Sequence, residues 1–215
     1  MANVIGSNTC PTGNNQRQLT QIGSSRLDGM TWSENGQRIY FSDYNIKAVD
    51  IATTYVFDAT LATGFGADRM PILNPRDDLL YFLRPREIGV EGGQLFVQDV
   101  SELTAGLEPP QPGGLLGVYT TDMTLNRTGE DLLMTSSDGA VFIMRITTGS
   151  PIPIAESLVA LPPQPVFSPD SQYIAFIGLA AVAPQIYVIP RIGGDATVIT
   201  QHSEGTVQDI QWAEN

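Results

Sequence analysis

The stretch that decides the fold runs from Phe167 to Phe176 and reads FSPDSQYIAF. An apolar residue closes one strand, Ser-Pro-Asp makes a tight turn, and a second strand follows that is apolar on both faces. The same pattern recurs at Trp32 in WSENGQRIYF, Leu73 in LNPRDDLLYF and Leu125 in LNRTGEDLLM, and its opening returns at Trp212 in WAEN. These anchors stand 41, 52, 42 and 45 residues apart. A period of about 40 to 50 built from short strands and turns marks a propeller or another repeat array. Helical repeats of that period need sustained 3.6 periodicity, which this chain lacks.

Working outward, each unit supplies four strand candidates. The third has TDMTL, DLLMT, AVFIMRI and PIPIAESL with Ser137-Asp138-Gly139 as its central hairpin, and the fourth has PVF, YIAFIGLA, QIYVIPR and TVITQ. In the first, Asn35-Gly36 carries the signal of a two-residue hairpin. Central strands such as LLYFL, AVFIM and YIAFI are apolar on both sides. Sheets stacked face to face demand that, whereas a sandwich with one wet face per sheet alternates. Tyr40, Phe82, Phe96, Phe142, Phe176 and Tyr187 are therefore expected to lie buried between sheets.

The expected fold is an all-β propeller of about five four-stranded blades, one domain over residues 1–215. The blades fall at about 22–62, 63–118, 119–160, 161–203, and 204–215 together with 1–21. The last is composite: Ala2 to Gly6 and Arg17 to Gln21 resemble the strands and turn of Gln185 to Gln201, and WAEN repeats the WSEN of Trp32 to Asn35. Val207 to Trp212 is expected to share a three-stranded sheet with one of those N-terminal segments, which would cover open sheet edges. The alternative is an open fragment of a larger propeller.

Composition narrows the function. The net charge is −12 and Lys47 is the only lysine, which argues against binding nucleic acid through its phosphates and against an anionic membrane surface. No apolar run approaches the ~18 residues of a membrane-spanning helix, so direct membrane insertion is not expected. Cys10 is the sole cysteine, so neither an internal disulfide nor a cysteine-based zinc site is possible. His202 is the sole histidine, in the loop QHSEG, and there is no G-x-S-x-G elbow, P-loop or Rossmann glycine pattern. No catalytic residue, metal or cofactor is assigned.

Two constellations remain. Counting back four and three residues from the anchors places Asp28, Arg69, Asp122, Gln164 and Asp209 at the starts of innermost strands. There they would ring one mouth of the central channel and hold a cation, a sugar or a peptide terminus. A pair of such carboxylates would also suit glycoside hydrolysis, and the plain alternative is a hydrated rim. The second repeat carries two long loops, Arg84 to Gly93 and Glu102 to Gly114. Arg84, Arg86 and Glu87 cluster in the first, while Glu108, Pro109 and Pro110 lie in the second, whose prolines are expected to take it out of the sheet. Long loops on a rigid scaffold are common binding elements, and a tolerated insertion is the alternative.

The motifs FSPDSQYIAF, QIYVIPRIGGDATVIT and RQLT closely resemble the WD-like β-propeller repeats of the TolB and tricorn-protease type; WSENGQRIYF resembles them well, and the second and third units loosely. The resemblance implies a propeller, and a protein-binding module or a domain attached to a serine peptidase. It also implies a periplasmic or extracellular setting. The matching positions are turns and core, so no site residue is carried over. The expected function is non-catalytic recognition or assembly, with a protein partner held by face loops. The alternatives are a carbohydrate-active or peptidase-associated propeller using the acidic channel mouth, and a structural subunit of a larger extracellular or surface complex.

Overall fold

The residue after each anchor explains where the chain turns. Ser33, Asn74, Asn126 and Ser168 are all buried. The Ser168 hydroxyl donates to Asp170 Oδ1 at 2.6 Å and accepts the Tyr173 N–H at 2.9 Å. Ser33 does the same with Asn35 Oδ1 and the Arg38 N–H, both at 2.8 Å. Where asparagine replaces serine, its own carbonyl takes the backbone donors, from Arg76 at 3.0 Å on Asn74 and from Glu130 at 2.9 Å on Asn126. Short polar side chains thus satisfy backbone N–H groups that the turn removes from the strand ladder.

The computed structural model describes residues 5–6, 17–20, 28–61, 67–76, 78–87, 92–101, 111–112, 119–155, 164–179, 183–201, 203–205, 207 and 210–213. Every described element is a β-strand. β1 (Ile5–Gly6) and β2 (Arg17–Gln18) form a two-stranded antiparallel sheet. Four four-stranded sheets follow, each in sequence order. The first holds β3 (Met30–Trp32), β4 (Arg38–Asp43), β5 (Asn45–Asp50) and β6 (Val56–Asp58). The second holds β7 (Arg69–Leu73), β8 (Leu79–Arg84), β9 (Gln94–Asp99) and β10 (Gln111–Pro112). The third holds β11 (Thr120–Leu125), β12 (Asp131–Ser136), β13 (Val141–Arg145) and β14 (Pro151–Ala155). The fourth holds β15 (Val166–Phe167), β16 (Tyr173–Leu179), β17 (Pro184–Pro190) and β18 (Thr197–Val198).

Two expectations need correction. Asn35-Gly36 is not a two-residue hairpin: strand pairing ends at Trp32 opposite Ile39, Ser33 N–H bonds the Arg38 carbonyl at 2.9 Å, and 34–37 form the loop. The insertion of the second repeat is not wholly outside the sheet, because Gln111 and Pro112 form its outermost strand. An edge position accepts proline, whose missing N–H costs no ladder bond there. The expected third strand beside β1 and β2 falls on Val207 to Trp212, of which Gln208 and Asp209 lie outside the described residues, while Val207 and 210–213 are irregular. The Ser137-Asp138-Gly139 hairpin stands as read, with Gly139 left-handed at φ 84°.

The chain divides into two compact units, 1–89 with 96–111, and 90–95 with 112–215. In the first, alternate residues of β4 and β5 go to opposite faces. Tyr40, Ile46 and Ala48 pack with Leu73, Leu80 and Phe82, while Ile39, Phe41 and Val49 pack with Leu19. In the second, Ile174 and Phe176 join Leu133, Val141 and Ile143, while Ala175 and Ile177 pack with Ile210. Both faces of the central strands are covered, as their two-sided apolar pattern requires. Tyr40, Phe82 and Phe176 are fully enclosed, whereas Phe96, Phe142 and Tyr187 are only half-buried. The first three sit on second strands and the others on third strands, nearer the outer edge of each sheet.

Candidate functional site

The expected site residues begin innermost strands, and the backbone there is unusual. Gly29, Met70 and Gln164, each three residues before its anchor, have φ of 105°, 52° and 38°. In the third sheet the same place holds a register shift between Thr120 and Asp122. Left-handed backbone at non-glycine residues costs energy and persists only where surroundings impose it. Recurrence of this bend gives the strand starts a common geometry.

In the first unit, Asp28 and Arg69 form an ion pair, Oδ2 to Nε at 3.3 Å, with each side chain under one-fifth exposed. The two charges neutralise each other. In the second unit, burial pushes the Asp122 carboxyl above its ordinary value, opposed by a bond from the Met123 N–H. Asp122 faces Thr135 across β11 and β12, and the buried Thr135 hydroxyl has no hydrogen-bond partner. Gln164 likewise has a buried Oε1 without a partner. The second carboxylate that a glycosidase needs would be Asp209, which lies outside the described residues, as do His202 and Cys10.

The loop residues separate by role. Arg84 ends β8 and is buried, with Nε on Asp68 Oδ1 at 2.7 Å and NH2 on Oδ2 at 2.8 Å. NH2 also reaches the Leu61 carbonyl at 3.0 Å, and the guanidinium lies 5.3 Å from the Phe82 ring and 5.0 Å from that of Phe96. This forked, stacked arrangement ties down the strand end. Arg86 and Glu87 follow it into solvent and are exposed. At the loop's far end Gly93 exchanges backbone bonds with Thr120, at 2.8 and 2.9 Å. Gly92 is left-handed beside it, and a Cβ there would come 2.6 Å from the Thr120 carbonyl oxygen. Glu108, Pro109 and Pro110 lie outside the described residues.

One feature escaped the sequence reading. Arg127, Ser168, Pro169, Asp170, Tyr173 and Trp212 line a cleft of about 440 Å³ in the second unit. Its signal was present: Tyr173 occupies the place held by Arg38, Leu79 and Asp131 in the other repeats. Among the described residues no group of three or more acidic, histidine or cysteine side chains is placed to hold a metal.

Four antiparallel four-stranded meanders with this turn chemistry give the chain a TolB-like β-propeller fold. No protein-family model matches the chain, and no curated protein does. Solved structures do. A protein assigned as TolB from Agrobacterium tumefaciens superposes with a TM-score of 0.64 at 16% identity, over 89% of this chain and 67% of that one. TolB from Acinetobacter baumannii gives 0.59 at 14%, over 87% of this chain and 46% of that one. A chain of a nidogen/laminin complex gives 0.64 at 10%, over 86% and 69%. The chain thus spans about half the length of the Acinetobacter protein. Identities this low speak for the fold and not for an activity.

Proposed function

We propose that this chain is a non-catalytic recognition module that holds a protein partner through loops on one face of a single propeller domain, with its last blade built from both ends. The observation that carries the proposal is the loop after β8. Its exposed Arg86 and Glu87 spring from the buried Arg84–Asp68 clamp, and its return is fixed at Gly93. Charged groups presented from a rigid stem bind with little ordering cost. A nidogen/laminin complex among the structures of similar fold supports a partner that is itself a protein. A place in a larger assembly, and a periplasmic or extracellular setting, fit the same reading.

The test is capture from the native source with the intact chain and with an Arg86→Ala, Glu87→Ala double variant. The variant is expected to keep its melting temperature and lose at least about tenfold in partner affinity, the loss common for central interface charges. Equal capture by both removes this loop from the interface. The Asp122 carboxyl favours a second reading, a channel-mouth ligand site. Asp122→Asn would then abolish ligand binding without touching protein capture.

A further inference from the structure

The cleft at the turn end of β15 and β16 is not explained by the fold. Arg127 follows the end of β11 and Ser168 the end of β15, so it is separate from the strand starts discussed above. Two aromatic rings border it, Tyr173 at 47% exposure and Trp212 at 36%. Neither takes part in a ring stack among the described residues. Arg38, Leu79 and Asp131 hold the place of Tyr173 in the other sheets, so the repeat does not need a tyrosine here. Trp212 Nε1 donates to the Val166 carbonyl at 3.4 Å, which orients the indole.

The charged groups of the cleft oppose each other. Arg127 and Asp170 both line it, so an anion or a cation is attracted by one and repelled by the other. What suits both is a neutral ligand whose polar groups accept from the guanidinium and donate to the carboxylate. Asp170 Oδ1 takes the Ser168 hydroxyl at 2.6 Å and the Gln172 N–H at 3.0 Å, which leaves Oδ2 for that ligand. A guanidinium carries five N–H donors, more than one protein contact consumes, and a tyrosine hydroxyl such as that of Tyr173 both donates and accepts. The turn offers no backbone donors: the N–H groups of Ser168, Ser171, Gln172 and Tyr173 are all bonded within it. A peptide that docks by pairing its amides along a strand edge therefore finds no ladder to join there. Sugar hydroxyls donate and accept at once, and the C–H face of a pyranose lies flat and apolar against an aromatic ring. The cleft volume of about 440 Å³ is that of a small-ligand pocket.

We propose that this cleft binds a neutral pyranose unit of an oligosaccharide, stacked on the rings of Tyr173 and Trp212 with its hydroxyls shared between Arg127 and Asp170. The site is independent of the loop after β8, so neither reading stands or falls with the other. The probes are cellotetraose, maltotetraose, mannotetraose and tetra-N-acetylchitotetraose, with octaproline as the peptide probe, each titrated into the full chain. Emission is read in a Trp32→Phe background, so that Trp212 alone reports. At least one sugar is expected to give a saturable response at millimolar concentration. Tyr173→Leu, which matches Leu79 at this place in the second sheet, is expected to weaken that sugar by up to about tenfold, the size of an aromatic contact. Asp170→Asn is expected to weaken it by about tenfold, the size of a hydrogen bond to a charged group. That variant keeps its fold, because Asn35 makes the same two turn bonds in the first sheet, at 2.8 and 3.0 Å. No sugar response at millimolar concentration, sugar affinity unchanged in both variants, or a response to octaproline alone would each overturn the proposal.

Discussion

Phe176 and Tyr187 face each other across β16 and β17, stacked with centroids 5.5 Å apart, yet only Phe176 is enclosed. Replacing Phe176 with alanine is expected to cost about 3–5 kcal/mol in urea unfolding, because the vacated space cannot collapse. Tyr187→Ala should cost distinctly less, since part of its ring is already in water. Equal losses would contradict the two-layer packing. Asp131 makes a different kind of demand. Its side chain is 2% exposed and pairs with Arg145 Nε at 3.3 Å and with Arg191 NH1. Arg145 is 53% exposed and Arg191 only 24%, so the better-buried partner carries more of the compensation. Arg191→Ala is expected to destabilise by roughly 3 kcal/mol and Arg145→Ala by under about 1 kcal/mol. The reverse order would mean that Arg191 is ornamental. Sequence had marked Phe176 and Tyr187 as core. It contained no sign that Asp131 would be buried, because its partner Arg191 is 60 residues away.

The turns are the elements that sequence rendered best. Ser-x-Asp and Ser-x-Asn place an acceptor two residues after a hydroxyl, and the structure uses both groups in WSEN and FSPD. Hydrogen bonds led by that from Ser168 lower the Asp170 carboxyl below its ordinary 3.8, and bonds led by that from Ser136 do the same for Asp138. A lowered folded value gives stability that is present above pH 3.8 and lost as pH falls through it toward the folded value. Asp122 has the opposite sign: raised by burial, it weakens the fold as pH climbs above 3.8 through the folded value. Asp170→Asn should therefore flatten the acid side of a stability–pH curve. Asp122→Asn should raise the melting temperature at pH 7 more than at pH 3. A uniform shift in either variant would reject the assignment. The Asn35-Gly36 loop was misread because the dipeptide signal is local, whereas Ser33 pins the loop four residues wide. In β14 the prolines of PIPIA stand in an outermost strand, where a missing N–H is harmless.

At the scale of the whole molecule, the proposed composite blade has a direct measurement. In a Cys10→Ser background, cysteines at Gln18 and Gln211, both exposed, are expected to form a disulfide under mild oxidation if the two ends share a blade. Failure to crosslink while the protein remains folded would leave the ends in separate sheets. The sequence by itself determined the repeat, its period, the turn positions and the two-sided central strands, because each of these depends on residues fewer than about ten apart. Tertiary structure alone decided which charges are structural and which are presented. Arg84 and Arg86 are two residues apart in one run of charge, but only Arg84 meets Asp68, Phe82 and Phe96. It also decided that Tyr173 and Trp212, 39 residues apart, would face one cleft. Burial and convergence are properties of neighbours brought together across the chain, and no local pattern encodes them.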